Sequence, residues 1–224
     1  MVNYDNPSSE IMHNRKIAKL RSALGHEKNK IAKLIVFEGA DRRGKQTQTK
    51  MLAAALSVNG YKTAVVEIPF NDGLTSKLIY WMLENGISQK FPQIFQIVQF
   101  LNKKIFQRTK LENVVMNNDY VIFDRWSLSA VIYGNVSGTN QSLNKIMYNN
   151  LFKPDVTVII DGNMLASGED AYEKNTAFQD EVANSYKTWS KETRERVIVV
   201  SNVNASKMQM HREVLKKLRQ LNIV

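Results

Sequence analysis

Residues Gly39-Ala40-Asp41-Arg42-Arg43-Gly44-Lys45 constrain this chain more than any other stretch. They follow a short apolar run, Leu34-Ile35-Val36-Phe37, which reads as a buried strand, and precede Thr47 to Leu56, which reads as a helix. Glycines let successive backbone N–H groups turn toward one anion, and the helix that follows aims its free N–H groups and positive dipole end at the same point. Lys45 adds a mobile full charge that can reach β- and γ-phosphates. Strand, glycine loop, lysine and helix together make a phosphate-gripping loop. The place after the lysine, usually Ser or Thr, is Gln46, with Thr47 one step later.

The rest of the chain supplies a setting for such a loop. Five strand-like runs recur: Lys33–Glu38, Thr63–Ile68, Tyr120–Asp124, Val156–Asp161 and Val197–Ser201. Most are continuously apolar, the sign of parallel strands covered on both faces. Between them, Gln46–Leu56, Leu74–Leu83, Gln93–Met116, Ser142–Leu151, Asn175–Ser190 and Lys207–Leu221 read as helices, the first stopped by Asn59-Gly60. Alternation of this kind predicts an α/β fold of the P-loop NTPase type, a three-layer sandwich with a five-stranded parallel sheet flanked by helices. No repeat, low-complexity tract or Pro/Gly-rich linker divides the chain, so residues 31–224 are expected to form one domain. Residues 1–30 are expected to form a basic extension, helical over 9–24 with Ser8 or Ser9 as its cap.

With 224 residues the chain is long enough for an ample core. It has no cysteine, so disulfides, thiolate metal sites and a cysteine nucleophile are excluded. Its three histidines lie far apart and suggest no metal cluster. No apolar run spans a membrane and no secretory signal opens the sequence, which predicts a reducing, cytoplasmic setting and no membrane partner. The net charge of +10 favours anionic partners, either small phosphorylated substrates or nucleic acid. Much of the excess lies at the ends, in Arg15, Lys16, Lys19, Arg21, Lys28 and Lys30 and again over 207–219. No aromatic residues are interleaved there to stack bases, so nucleic acid is the weaker reading.

Ligands of such sheets bind beyond the carboxyl ends of the strands. Asp124-Arg125 and Glu67-Ile68-Pro69 fall on that rim with the glycine loop. Asp124 can hold Mg²⁺ directly or through water, and Arg125 can grip a phosphate bidentately. The plainer readings are a local salt bridge for Asp124-Arg125 and a surface carboxylate for Glu67.

Taken together, these residues resemble the thymidylate kinase family. The family pattern F-E-G-x-D-x-x-G-K-[ST]-T-Q appears as Phe37-Glu38-Gly39-Ala40-Asp41-Arg42-Arg43-Gly44-Lys45-Gln46-Thr47-Gln48, with one fixed place changed. D-R-[YH]-x-x-S appears as Asp124-Arg125-Trp126-Ser127-Leu128-Ser129, followed by Tyr133 at an aromatic place. Phe100 and Lys104 are matched, by their distance from Asp124, to F-x-x-x-R of a long helix. Lys153-Pro154-Asp155 resembles K-P-D, and Tyr172-Glu173 with Ala177-Phe178-Gln179 resembles the segment after the lid.

The resemblance implies ATP- and Mg²⁺-dependent phosphorylation of thymidine monophosphate, and a homodimer joined through helices. It assigns Gly39, Ala40, Arg42, Arg43, Gly44, Lys45, Gln46 and Thr47 to ATP. Asp41 would meet the acceptor sugar, Arg125 its phosphate, and Pro69, Phe100, Lys104, Tyr133 and Tyr172 the rest of the acceptor. Gln46 or Thr47 would join Asp124 at Mg²⁺. The segment Asn163–Ala171 has no Lys or Arg, so the chain resembles the type that carries its catalytic arginine in the phosphate loop, here Arg42. Lys45, Arg42, Asp124 and Arg125 form the implied catalytic set.

On the acceptor side the chain departs from the family at Asn71, Lys104 and Ala130, which suggests altered acceptor choice, such as a base modified at its 5-position. Two other readings stay open. A deoxynucleoside kinase would need a base to deprotonate a hydroxyl, with Glu67 the candidate. A non-catalytic nucleotide- or nucleic-acid-binding homologue would need neither Gln46 nor Asn71 to be anything else.

Overall fold

Leu34, Ile35, Val36 and Phe37 are all buried, and they divide between two cores. Ile35 and Phe37 pack with Leu52, Ile122, Val158, Val214 and Leu218. Leu34 and Val36 face the other way, toward Phe106, Phe123, Trp126 and Phe152. A strand with helices on both faces must be apolar at every position, which is why this one reads as a run and not as an alternation.

A computed structural model describes residues 31–71, 73–165 and 176–224. Five strands, β1 (Lys33–Glu38), β2 (Thr63–Glu67), β3 (Tyr120–Asp124), β4 (Val156–Asp161) and β5 (Val197–Ser201), form one sheet in the order β2-β3-β1-β4-β5. All neighbouring pairs are parallel. Among the described residues, the helices are α1 (Lys45–Val58), α2 (Thr75–Glu84), α3 (Ile87–Lys90), α4 (Pro92–Thr109), α5 (Leu111–Asn117), α6 (Ser127–Val136), α7 (Gln141–Asn149), α8 (Thr176–Glu192) and α9 (Lys207–Gln220).

The expected three-layer sandwich is therefore the observed one. Its local departures have physical causes. The helix expected over Gln93–Met116 is two, α4 and α5, broken at Lys110. α6 went unread because it is apolar nearly all round, with Leu128, Val131 and Ile132 buried alongside Ser127, Ser129 and Gly134, so it has no periodic stripe. α7 begins at Gln141, where the Asn140 side chain caps it by accepting from Leu143 N at 2.9 Å. The helix expected over 9–24 lies outside the described residues.

β1 is central. Its two neighbours, β3 and β4, leave it on opposite sides, so the chain reverses its direction of winding at β1, the place where such sheets bind ligands. The register sets Phe37 beside Asp124 and Asp124 beside Glu67, which brings the three loops after β1, β2 and β3 to one rim.

Candidate active site

The loop after β1 needs its first glycine for two reasons. Gly39 has φ +135°, and a Cβ built there would lie 2.3 Å from Ile160 O, so loop and β4 backbone touch with no room for a side chain. Gly44, at φ +97°, starts α1. Between them Arg42 also takes a positive φ, +58°. Lys45, only 6% exposed, turns back over the loop and donates from Nζ to Ala40 O at 2.6 Å. Burial pulls the Lys45 ammonium down to about 8, with the Arg125 charge adding to the effect and Asp41 and Asp124 opposing it. An ammonium so poorly solvated gains strongly from a polyanion beside it.

A cleft of about 390 Å³ opens over this loop, within the ordinary ligand range of roughly 300–1,000 Å³. Its lining contains Asp41, Arg42, Gly44, Lys45, Gln46 and Thr47 of the loop and the start of α1, with Asp124, Arg125 and Leu165. A second cavity, about 170 Å³, lies between α2, α4 and α6, with Pro69, Phe95, Gln96, Gln99, Lys103, Ala130 and Tyr133 in its wall. Asp41 and Arg125 line both cavities.

Arg125 is held in a fork. Its Nη1 donates to Gly39 O at 3.0 Å and Ser129 Oγ at 3.1 Å, and its Nη2 pairs with Asp41 and reaches Tyr133 Oη at 3.4 Å. Asp41 is fixed from the other side by Gln179, which is fully buried. Its Oε1 accepts from Asp41 N at 2.8 Å and its Nε2 donates to Asp41 Oδ2 at 3.0 Å. Burial pushes the Asp41 carboxyl up, but the Arg125 and Lys45 charges outweigh it and hold the carboxyl below its usual range. Asp124 goes the other way: burial raises it, and Arg125 and Lys45 only partly compensate.

Several residues singled out in the sequence sit elsewhere. The Arg43 side chain is buried and pairs with Asp180 of α8 at 3.2 Å, so only its backbone belongs to the loop. Ala40 packs in the core with Ile159 and Tyr186, so the loop uses its carbonyl. Phe100 and Lys104 do not line the second cavity. Phe100 packs against the core of Phe106 and Trp126, and the Lys104 ammonium bonds Asn150 O. The face of α4 that does reach the cavity carries Gln96, Gln99 and Lys103. Gln99 and Lys103, each one residue before Phe100 and Lys104, are the pair on this helix that lines the cavity. Tyr172 lies outside the described residues.

Two residues essential to the geometry carried no role in the sequence reading. Gln179 is one. Glu38 is the other: fully buried, it accepts from Trp126 N at 2.9 Å, Ser129 N at 3.3 Å, Tyr186 Oη at 2.9 Å and the Ser129 hydroxyl. A charged residue closing an apolar strand was the available signal, since such a group is buried only when fully hydrogen-bonded.

Mg²⁺ is compatible with this donor set. Among the described residues no three His, Cys, Asp or Glu side chains converge. Mg²⁺ bound with substrate phosphates keeps several waters and needs only one or two carboxylates. Asp124, which lines the cleft along with Gln46 and Thr47, meets that requirement.

A glycine loop alone would make a phosphate binder; a second cavity opening onto the same charged pair makes the chain a P-loop phosphotransferase. The thymidylate kinase family model matches residues 37–214, and the chain belongs to that family. It is 30% identical over 159 residues to a protein of Invertebrate iridescent virus 6 named as a candidate thymidylate kinase, covering 68% of this chain and 73% of that one. It is 26% identical over 208 residues to the thymidylate kinase of Plasmodium falciparum, covering 87% and 93%. The solved thymidylate kinase of Candida albicans shares the fold, with a TM-score of 0.69 at 20% identity over 86% of this chain and 93% of that one. The chain is thus an ATP-dependent phosphotransferase. Among the described residues no helix is long and apolar enough to cross a membrane.

Proposed function

We propose that the chain transfers the γ-phosphate of ATP to thymidine monophosphate or a related pyrimidine deoxynucleotide, including 5-substituted ones, and releases the diphosphate. The observation that carries this reading is the pair Asp41–Arg125, which lines the donor cleft and the acceptor cavity at once. Arg125 holds the acceptor phosphate there while Asp41 contacts its sugar. Lys45 and the 39–47 backbone hold the donor phosphates, and Arg42, in the cleft lining, adds positive charge to the equatorial oxygens of the transferred group. An acceptor phosphate oxygen attacks the γ-phosphorus, the bond to the β–γ bridging oxygen breaks, and ADP leaves. Mg²⁺, held by Asp124 with Gln46 or Thr47 nearby, supplies charge neutralisation when bound.

A monophosphate oxygen is already ionised, so no general base is required. That agrees with the position of Glu67, exposed and absent from both cavity walls, and disfavours a deoxynucleoside kinase. The domain assigned to this chemistry is residues 31–224, with 1–30 as a basic extension. α4 shows an apolar stripe, Ile94, Ile97 and Leu101, exposed beside Leu78 and Trp81 of α2, which supports a homodimer formed through these helices. Sedimentation of the full chain tests that assembly.

The test of function is diphosphate formation from ATP-Mg²⁺ and a panel of nucleoside monophosphates and deoxynucleosides, read by mass spectrometry. Product from thymidylate or a pyrimidine relative supports the reading. Product from deoxynucleosides alone, or from no acceptor, overturns it.

A further inference from the structure

Asn202 follows the last residue of β5 and lines neither cavity. It is 6% exposed, and its side-chain amide is used in full. Oδ1 accepts from Asn163 N at 2.6 Å. Nδ2 donates to Asn163 O at 2.6 Å and to Arg43 O at 3.3 Å, across 159 residues of sequence. One acceptor facing an N–H and two donors facing two carbonyls is a set that a primary amide supplies and that a carboxylate or a single hydroxyl does not. The backbone of Asn202 is pinned as well: its N donates to Asp161 O at 2.9 Å, and Ala205 N reaches back to its O at 3.3 Å. The fit dictates a neighbour. Gly162 has φ +111°, and a Cβ built there would lie 2.2 Å from Asn202 Oδ1.

The amide joins two segments, the phosphate loop and the strap of residues 162–165 that leaves β4. The strap makes its own bond to the loop, Leu165 N donating to Arg42 O at 2.9 Å. Two successive loop carbonyls are therefore held from outside the loop, that of Arg42 by the strap and that of Arg43 by Asn202, which also anchors the strap. In a trans peptide, as both of these are, the carbonyl and the N–H point to opposite edges. Holding Arg42 O and Arg43 O thus turns the N–H groups of Arg43 and Gly44 away from Leu165 and Asn202. Neither N–H donates to an acceptor among the described residues, and Gly44 lines the cleft. Loop N–H groups left free in this way are the ones an anion takes. Arg42 stands on the same stretch at φ +58°, a left-handed conformation kept by the contacts around it.

We propose that Asn202 is a positioning residue for the phosphoryl donor: through Arg43 O and the 162–165 strap it holds the phosphate loop in the form whose Arg43 and Gly44 N–H groups receive the donor phosphates, and it does so without touching the nucleotide. The inference rests on the assignment of this loop to the donor.

The experiment measures, by calorimetry, the binding of inorganic triphosphate to the full chain and to Asn202→Ala, which removes the amide and adds no charge. Triphosphate carries the donor's phosphates and no nucleoside. The unaltered chain should bind it, and Asn202→Ala should bind it about tenfold more weakly, the size of one impaired hydrogen bond to a charged group. KM for ATP should rise by a similar factor, with KM for the acceptor nearly unchanged. A brace that served the fold alone would lower the urea midpoint and leave triphosphate affinity as it was. Val214→Ala, which trims a fully buried side chain of α9 in the core, shows that second pattern and is the control. Unchanged triphosphate affinity in Asn202→Ala overturns the inference and leaves the kinase assignment standing. Weaker ATP binding with undiminished triphosphate binding overturns it too, by moving the effect to the nucleoside. If the unaltered chain binds neither triphosphate nor ATP, the donor assignment falls with it. Where Asn202→Ala fails to fold, the unaltered chain still decides: the amide proton resonances of Arg43 and Gly44 should move downfield on adding triphosphate, and resonances that stay in place overturn the proposal.

Discussion

Glu38 Oε1 accepts the backbone N–H of Trp126 at 2.9 Å, joining the end of β1 to the residue that follows Arg125. The bond matters because Arg125 has φ +69°, a left-handed conformation that costs a non-glycine residue about 1 kcal/mol or more and is kept by the contacts around it. On its other side Arg125 N donates to Phe37 O at 2.9 Å.

Removing Glu38 therefore loosens the arginine. Glu38→Ala leaves Trp126 N, Ser129 N and two hydroxyls without their acceptor and opens a void. A loss of about 3 kcal/mol in stability is expected, at the large end for single substitutions. Urea unfolding would measure it, and acceptor kcat/KM should fall with it.

Arg125→Lys should spare the fold and damage the reaction. One ammonium cannot reproduce donation to Gly39 O, Ser129 Oγ, Asp41 and Tyr133 Oη together. A drop of about a hundredfold in kcat/KM for the acceptor is expected, with ATP affinity nearly unchanged. Steady-state kinetics against each substrate separates the two.

Lys45→Ala should abolish turnover with the circular dichroism spectrum unchanged. An unaltered rate would remove Lys45 from the catalytic set.

Gly39→Ala should destabilise the chain by about 3 kcal/mol or more, because the new methyl meets Ile160 O and the backbone sits at φ +135°. Thermal unfolding checks it; Gly60→Ala, where nothing lies within 4 Å of the added carbon, should cost less.

Stability should rise with pH above neutrality. Lys45 and Lys103 both titrate near 8 in the folded protein and near 10.5 when unfolded. Between those values the unfolded chain binds more protons, so the burden of two buried charges is full below about 8 and lifts as pH climbs toward 10. Above that, Tyr133 and Tyr186, both pushed well above their ordinary value by burial, reverse the trend. Urea midpoints from pH 7 to 10 should show the rise, and Lys103→Met should flatten it. Nucleotide binding, which favours charged Lys45, should take up a proton near pH 8 to 9, measurable by calorimetry in two buffers.

The five strands and the donor loop were legible because local pattern alone defines them: a doubly covered strand is apolar throughout, and a phosphate loop needs its glycines at fixed places. Asp124 and Arg125 were legible for the same reason, standing at a strand's carboxyl end. The acceptor wall was not. Which face of α4 meets the cavity depends on how the helix rotates on the core, and one step of sequence turns Phe100 inward to Phe106 and brings Gln99 to the cavity. Glu38 and Gln179 escaped for another reason: their partners are 88 and 138 residues away, a distance no local pattern records.

The wall shared by the two cavities also sets what kind of molecule the chain would hold most firmly. With donor and acceptor bound as proposed, their phosphates meet on either side of one ion pair, so a single compound with an adenosine and a pyrimidine nucleoside at opposite ends of a phosphate chain would occupy both cavities at once. Such a compound surrenders its translational freedom once where two substrates do so twice. Its affinity should therefore approach the product of the separate affinities scaled by a millimolar-range effective concentration, provided the bridge is long enough to pass Arg125.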